Sequence, residues 1–344
     1  MKLHFQQLMN EATRLTGSGR LRAATAAIQA ALGFAKAVVP AAPAPVPADG
    51  GKAIEAAPNG PRAASQFVAG SFSMAAASRD YKLYVPADSG DRPLPLVVML
   101  HGCTQTPDDF AAGTAMNEAA QEQGAYVLYP AQSQQANPQR CWNWFKHNHQ
   151  QRGRGEPALL AGMTRQIMAQ HGIDPGRVYV AGLSAGGAMA AILADTYPDL
   201  YAAVGVHSGL AAGAASDLPS ALAAMNGRGG HTPAGGRRVP TIVFHGDADS
   251  TVHPRNGEHV IASSSDGAMA PDVQQHQEPG GRRSTRHVHR DGQGKVLAEH
   301  WVVHGAAHAW AGGSARGSYT DARGPDATSE MLRFFLEHPR AATQ

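Results

Sequence analysis

The sequence predicts an α/β fold, a mostly parallel central sheet with helices on both faces, preceded by an N-terminal helical hairpin and a Pro/Ala-rich linker. Three observations carry this expectation. Short apolar runs alternate with stretches of helical period, the pattern of a parallel sheet covered on both sides. One of those runs, Arg177 to Ala181, passes straight into a glycine-rich turn and then a helix. The 344 residues suffice for one large domain with an extension.

Taken in order, Phe5, Leu8, Met9, Ala12 and Leu15, then Leu21, Ala24, Ile28 and Leu32, recur at helical spacing on either side of Thr16-Gly17-Ser18-Gly19, so residues 1–35 read as a helical hairpin. Residues 36–65 are rich in Ala, Pro and Gly, which cannot bury a core and favours an extended linker. Residues 66–344 form the main domain. Its strands are expected at Leu96–Leu100, Tyr126–Tyr129, Arg177–Ala181, Ala202–Val206 and Thr241–Phe244, with a hairpin over Thr285–Val303 turning at Asp291-Gly292. Helices are expected at Pro107–Gln123, where Pro and two Asp open the first turn, at Pro157–His171, from Ala185 to Tyr197, and at Asp326–Glu337. An irregular excursion, Pro130–Glu156, holds Trp142 and Trp144.

Composition excludes several function classes. A net charge of +2 with scattered arginines offers no field for nucleic acid. No apolar run reaches about 18 residues, so no transmembrane segment is expected. The first residues are polar where a secretion signal would be apolar, which gives a cytoplasmic expectation. Two cysteines, Cys103 and Cys141, rule out a disulfide-dense scaffold and a cysteine zinc site. The pairs His147/His149 and His287/His289 lack a matching carboxylate or thiol at ligand spacing, so no metal is expected.

Chemistry concentrates at Gly182-Leu183-Ser184-Ala185-Gly186. A serine at a strand-to-helix bend is lifted above the sheet in a strained conformation that only small neighbours two residues away tolerate. The helix starting at Ala185 aims its free N–H at a developing oxyanion. Serine needs a base, and histidine is matched to that task near neutrality. His308, in a Gly/Ala-rich loop after the last strand, is the candidate, whereas His300 and His304 fall within or at the end of that strand. The orienting carboxylate should follow an earlier strand. Asp249 is preferred to Asp247, which is expected to fix its own turn. The geometry requires Ser184 to lie within hydrogen-bonding reach of His308. The backbone N–H of Cys103, in the loop after Leu96–Leu100, is the second oxyanion candidate.

The blocks PLVVMLHGCTQTPDDFAAGTAMNEAA, CWNWF, VYVAGLSAGGAMAAILADTYPDLYAAVGVHSG, PTIVFHGDADSTVHP and HAWAGGSARGSYTDARGPDATSEMLRFF closely resemble the polyhydroxybutyrate depolymerase family of esterases, which is related to feruloyl and acetylxylan esterases. The resemblance spans about Tyr81 to His338. It implies an α/β-hydrolase catalytic domain, no cofactor, ester hydrolysis through an acyl-enzyme, a triad of Ser184, Asp249 and His308, and oxyanion donors at Cys103 and Ala185. It also implies a disulfide between Cys103 and Cys141, closing a loop of about 38 residues and stabilising by roughly 3–4 kcal/mol. The implied substrate is poly(3-hydroxybutyrate) or its oligomers, with the feruloyl or acetylxylan type of carbohydrate ester as the alternative and a non-catalytic granule-binding protein as the alternative from another class. Trp142, Trp144 and Trp310 are candidates for an acyl-binding wall. The amphipathic hairpin Phe5–Leu32 is a candidate contact to a polyester granule.

Overall fold

The computed structural model describes residues 64–74, 77–87, 92–229, 238–265 and 268–340, which lie in a unit running from Arg62 to Gln344. The hairpin Phe5–Leu32, its granule contact and the linker up to residue 63 lie outside the described residues.

Ten strands build one sheet in the order β1-β2-β4-β3-β5-β6-β7-β10-β9-β8. They are β1 (Gln66–Met74), β2 (Ala77–Val85), β3 (Leu94–Leu100), β4 (Tyr126–Pro130), β5 (Ile173–Leu183), β6 (Ala203–His207), β7 (Thr241–Gly246), β8 (Asp272–Gln277), β9 (Arg283–Arg290) and β10 (Val296–Val303). The six from β4 to β10 in that order run parallel, while β1, β2, β9 and β8 join antiparallel at the two edges. A short parallel pair, β11 (Trp310–Ala311) and β12 (Thr320–Asp321), stands apart. The central strands are buried on both faces, and β3, β4, β6 and β7 are buried along their whole length. That burial is why their sequences read as continuous apolar runs rather than alternating ones.

The helices are α1 (Pro107–Thr114), α2 (Met116–Gln123), α3 (Gly155–Gln170), α4 (Ala185–Thr196), α5 (Leu218–Met225), α6 (Arg255–Ser264) and α7 (Ala327–Glu337). One face of the sheet carries α3, α4, α5 and α6 over a core that includes Leu160, Met189, Leu193 and Val260. The other carries α1, α2 and α7 over Phe110, Met116, Phe334 and Phe335. The chain is an α/β-hydrolase fold, with the parallel strands' C-terminal ends gathered along one edge, where ligands bind in open α/β sheets.

Two expectations change. The single helix Pro107–Gln123 is two, broken at Ala115 in a left-handed conformation (φ 52°). Tertiary contacts outweigh helix propensity here: the Thr114 carbonyl accepts from Thr328 Oγ1 at 2.7 Å instead of from the next helical turn. The C-terminal hairpin gains a third member, β8, whose Asp-Val-Gln-Gln-His-Gln sequence is exposed throughout and carries no apolar alternation to announce it.

Candidate active site

Ser184 sits between β5 and α4 at φ 59°, ψ −119°, a backbone conformation that side-chain-bearing residues rarely adopt. The bend is possible because of its flanking glycines. A Cβ on Gly186 would lie 2.6 Å from the His101 carbonyl oxygen and closer still to that of Leu100, and one on Gly182 would meet the Leu100 oxygen at 2.7 Å. Both neighbours are backbone and cannot move aside. The glycines therefore press the serine turn directly against the end of β3, where the chain enters His101-Gly102-Cys103.

In that second loop the N–H groups on either side of Cys103 are engaged: Gly102 N donates to Gln105 Oε1 at 2.9 Å and Thr104 N to the Gln139 carbonyl at 2.6 Å. The Cys103 N–H lies between them, with no hydrogen-bond partner among the described residues. Gln105 is itself held, donating to Asp109 Oδ2 at 2.9 Å and to the Ser318 carbonyl at 3.1 Å. Across the bend, Ala185 opens α4, where N–H groups lack intrahelical acceptors.

Asp249 follows β7 and is 5 % exposed. Its Oδ1 accepts from the N–H groups of Thr251 and Val252 at 2.8 and 2.9 Å, and its Oδ2 accepts from His308 Nδ1 at 2.7 Å. Burial opposes ionisation of this carboxyl. The hydrogen bond and charge of His308, the neighbouring His245 and the Val252 N–H outweigh it and hold the group below the usual aspartate range. A carboxylate therefore faces the His308 ring and fixes the tautomer with its proton on Nδ1, leaving Nε2 to act as a base. Asp247 does something other than brace its own turn. Its Oδ2 accepts from His304 Nδ1 at 2.8 Å and its Oδ1 from Gly305 N at 2.6 Å, pinning the far loop that leads to His308. Among the described residues the Ser184 hydroxyl makes no hydrogen bond, so the expected bond to His308 is not formed in this geometry.

Cys103 and Cys141 form a disulfide. It ties the excursion 131–154 to the loop after β3, and a second anchor holds the excursion itself. Glu156, 3 % exposed, accepts at Oε1 from Gln132 Nε2 (2.6 Å) and Asn143 Nδ2 (2.7 Å), and at Oε2 from Asn143 N (2.7 Å). Nothing in the spacing of the sequence marks this residue. The tryptophans correct an expectation: Trp142 and Trp310 are 0 % and 1 % exposed, with ring N–H groups donating to the His101 carbonyl and to Thr328 Oγ1. They pack the core beneath the loops and present no face to an acyl chain. Trp144, 5 % exposed, packs edge-on to Phe145. Among the described residues no group of three or more His, Cys, Asp or Glu is placed to hold a metal ion, and no helix is long and apolar enough to cross a membrane.

Residues 79–266 match the family model described as esterase PHB depolymerase. Poly(3-hydroxyalkanoate) depolymerase C of Paucimonas lemoignei is 33% identical over 230 residues, covering 62% of this chain and 54% of that protein. Feruloyl esterase B of Neurospora crassa is 33% identical over 191 residues, covering 50% and 64%. The chain thus spans between about half and two thirds of the length of these two relatives. An acetyl xylan esterase from Aspergillus awamori shares the fold with a TM-score of 0.59 at 21% identity, covering 75% of this chain and 94% of that one. With more than half of its length matched by the family model, the chain belongs to the esterase PHB depolymerase family.

Proposed function

We propose that the protein is a serine esterase acting on esters of 3-hydroxybutyrate, as polymer or oligomer, through an acyl-enzyme. The observation that carries this reading is the convergence of a strained Ser184, the Asp249–His308 pair and two N–H donors at the C-terminal ends of β5, β7, β10 and β3. In the proposed cycle Ser184 Oγ attacks the ester carbonyl while His308 Nε2 takes its proton. Asp249 stabilises the imidazolium, and the Cys103 and Ala185 N–H groups hold the oxyanion. Collapse expels the alcohol, which receives the proton from His308. Water, deprotonated by the same nitrogen, then releases the hydroxyacid and restores the serine.

A carbohydrate ester is the second reading, favoured by the 33% identity to a protein named feruloyl esterase B. Turnover of hydroxybutyrate oligomers and of methyl ferulate separates the two, and a large preference for ferulate would overturn the first. S184A is expected to abolish hydrolysis of p-nitrophenyl butyrate, and undiminished turnover would refute the assignment of the nucleophile. We further propose polyester granules as the physiological surface, tested by granule pull-down of the full chain beside one starting at Gln66. As to compartment, the Cys103–Cys141 bridge favours an oxidising one over the cytoplasm. Two titratable thiols in freshly isolated, denatured protein would restore the cytoplasmic expectation.

A further inference from the structure

The last residue of β6, His207, touches both halves of the proposed machinery and belongs to neither. Its carbonyl accepts the N–H of Ser184 at 2.9 Å. Its side chain, 1 % exposed, reaches in another direction, where Nε2 accepts the N–H of Ala311 at 2.9 Å. Ala311 lies three residues beyond His308, in β11. One residue is thereby bonded to the turn carrying the serine and to the segment carrying the histidine.

The chemistry of the ring fits a fixed strut. An Nε2 that accepts from a backbone N–H cannot hold a proton, so the ring proton is on Nδ1, 3.2 Å from Ser208 Oγ. Burial foremost, then the neighbouring His245 and His308, keep the imidazole neutral against the opposing pull of Asp249. The ring stacks on both Trp310 (centroids 4.9 Å apart) and Phe244 (5.8 Å), which restricts its plane. At the other end of the histidine loop, Ala306 is gripped by the turn after β7: its carbonyl accepts from Ala248 N at 3.1 Å, and a Cβ on Gly246 would lie 2.8 Å from its carbonyl carbon. His308 is therefore slung between two anchors, Ala306 on β7 and Ala311 on His207.

We propose that His207 is a positioning residue that sets the separation between Ser184 and His308, by holding one segment through its carbonyl and the other through Nε2. This rests on the esterase reading above. It never meets the substrate, and its effect passes wholly through the two residues it spaces. Misplacing a reacting group by about 1 Å can cost on the order of a hundredfold in rate while leaving binding intact.

The test compares H207F, which keeps a stacking ring but removes the acceptor, with H207Q, whose Oε1 stands close to the position of Nε2. In H207F, kcat toward p-nitrophenyl butyrate is expected to fall by about tenfold or more with KM unchanged, and labelling of Ser184 by a fluorophosphonate to slow in parallel. H207Q is expected to recover most of the loss. Wild-type kcat in folded H207F, or equal losses in the Phe and Gln variants, would overturn the proposal. If H207F does not fold, H207N replaces it, since its shorter amide cannot reach Ala311: H207N slower than H207Q supports the strut, and equal rates refute it. S184A run beside them separates the two levels of inference. Turnover by S184A would overturn the esterase site itself, whereas an inactive S184A with a fully active H207F would overturn only the role of His207.

Discussion

Replacing Glu156 by Gln tests the anchor of the excursion 131–154, and the structure sets the size of the effect. The wild-type carboxylate receives three short hydrogen bonds on its two oxygens. An amide keeps one oxygen, so whichever way it turns an –NH2 faces a donor, either Asn143 N or the pair Gln132 Nε2 and Asn143 Nδ2. The neighbours cannot turn over to compensate. Gln132 Oε1 already accepts from Arg79 Nε at 2.9 Å while its Nε2 also donates to the Cys141 carbonyl at 3.0 Å, and Asn143 Oδ1 accepts from Asn137 Nδ2 at 3.3 Å. A lost hydrogen bond to a charged acceptor, with a buried donor left opposed, costs about 2–4 kcal/mol. For a domain of this size that is a drop in melting temperature of roughly 3–7 °C.

The sign of the pH dependence follows from the same contacts. Burial alone would raise the Glu156 carboxyl, but the neighbouring His149 ring, 3.5 Å from Oε2, the hydrogen bond from Gln132 and the Asn143 N–H bring it below its ordinary value of 4.5. The carboxylate therefore contributes fully above that value, and its contribution is lost as pH falls through the lowered one. Thermal unfolding of wild type and E156Q between pH 7 and pH 3 should show a gap that closes toward the acid end. A melting temperature for E156Q within about 2 °C of wild type at pH 7 would refute the reasoning.

Three further perturbations address the site. G186A places a methyl group against the carbonyls of Leu100 and His101, and should lose about 3 kcal/mol or more together with esterase activity; near-wild-type urea unfolding and turnover would contradict it. D249N should lower kcat by about three to four orders of magnitude through the wrong His308 tautomer, while D247N, which only pins the loop, should stay within about tenfold; steady-state kinetics reversing that order would exchange their roles. Replacing Cys103 and Cys141 together by Ser should reduce unfolding free energy by about 3–4 kcal/mol, read by urea titration, in line with the loop of 38 residues that they close.

Sequence and structure agree where local chemistry decides. The Gly182-Leu183-Ser184-Ala185-Gly186 turn is legible because a bend that admits no Cβ two residues either side writes itself into the glycines. Asp249 and His308 are legible as a pair because both sit in loops that follow parallel strands, and chain order limits the candidates. What escapes is decided by partners distant in the chain. Aromatic size cannot say which way a ring turns, so Trp142 and Trp310 read as substrate walls until their N–H groups are seen donating into the core. Asp247 reads as a turn residue because its acceptors' partners, His304 and Gly305, are 57 and 58 residues away. Glu156 and His207 lie in segments whose pattern is that of any helix start and any buried strand end.

The pairing of β3 with β5, in which Leu100 stands opposite Gly182, has a consequence for tolerance to change. Both proposed oxyanion donors hang from these two adjoining strands, so their mutual placement depends on a single alignment near the middle of the sheet. A slip of one residue there would carry one donor about 3.3 Å past the other, beyond the reach of a shared oxygen. The outermost strands bear no such duty. Length variation and surface substitution in β1 and β8 can accumulate without disturbing where the negative charge of a reacting ester would rest.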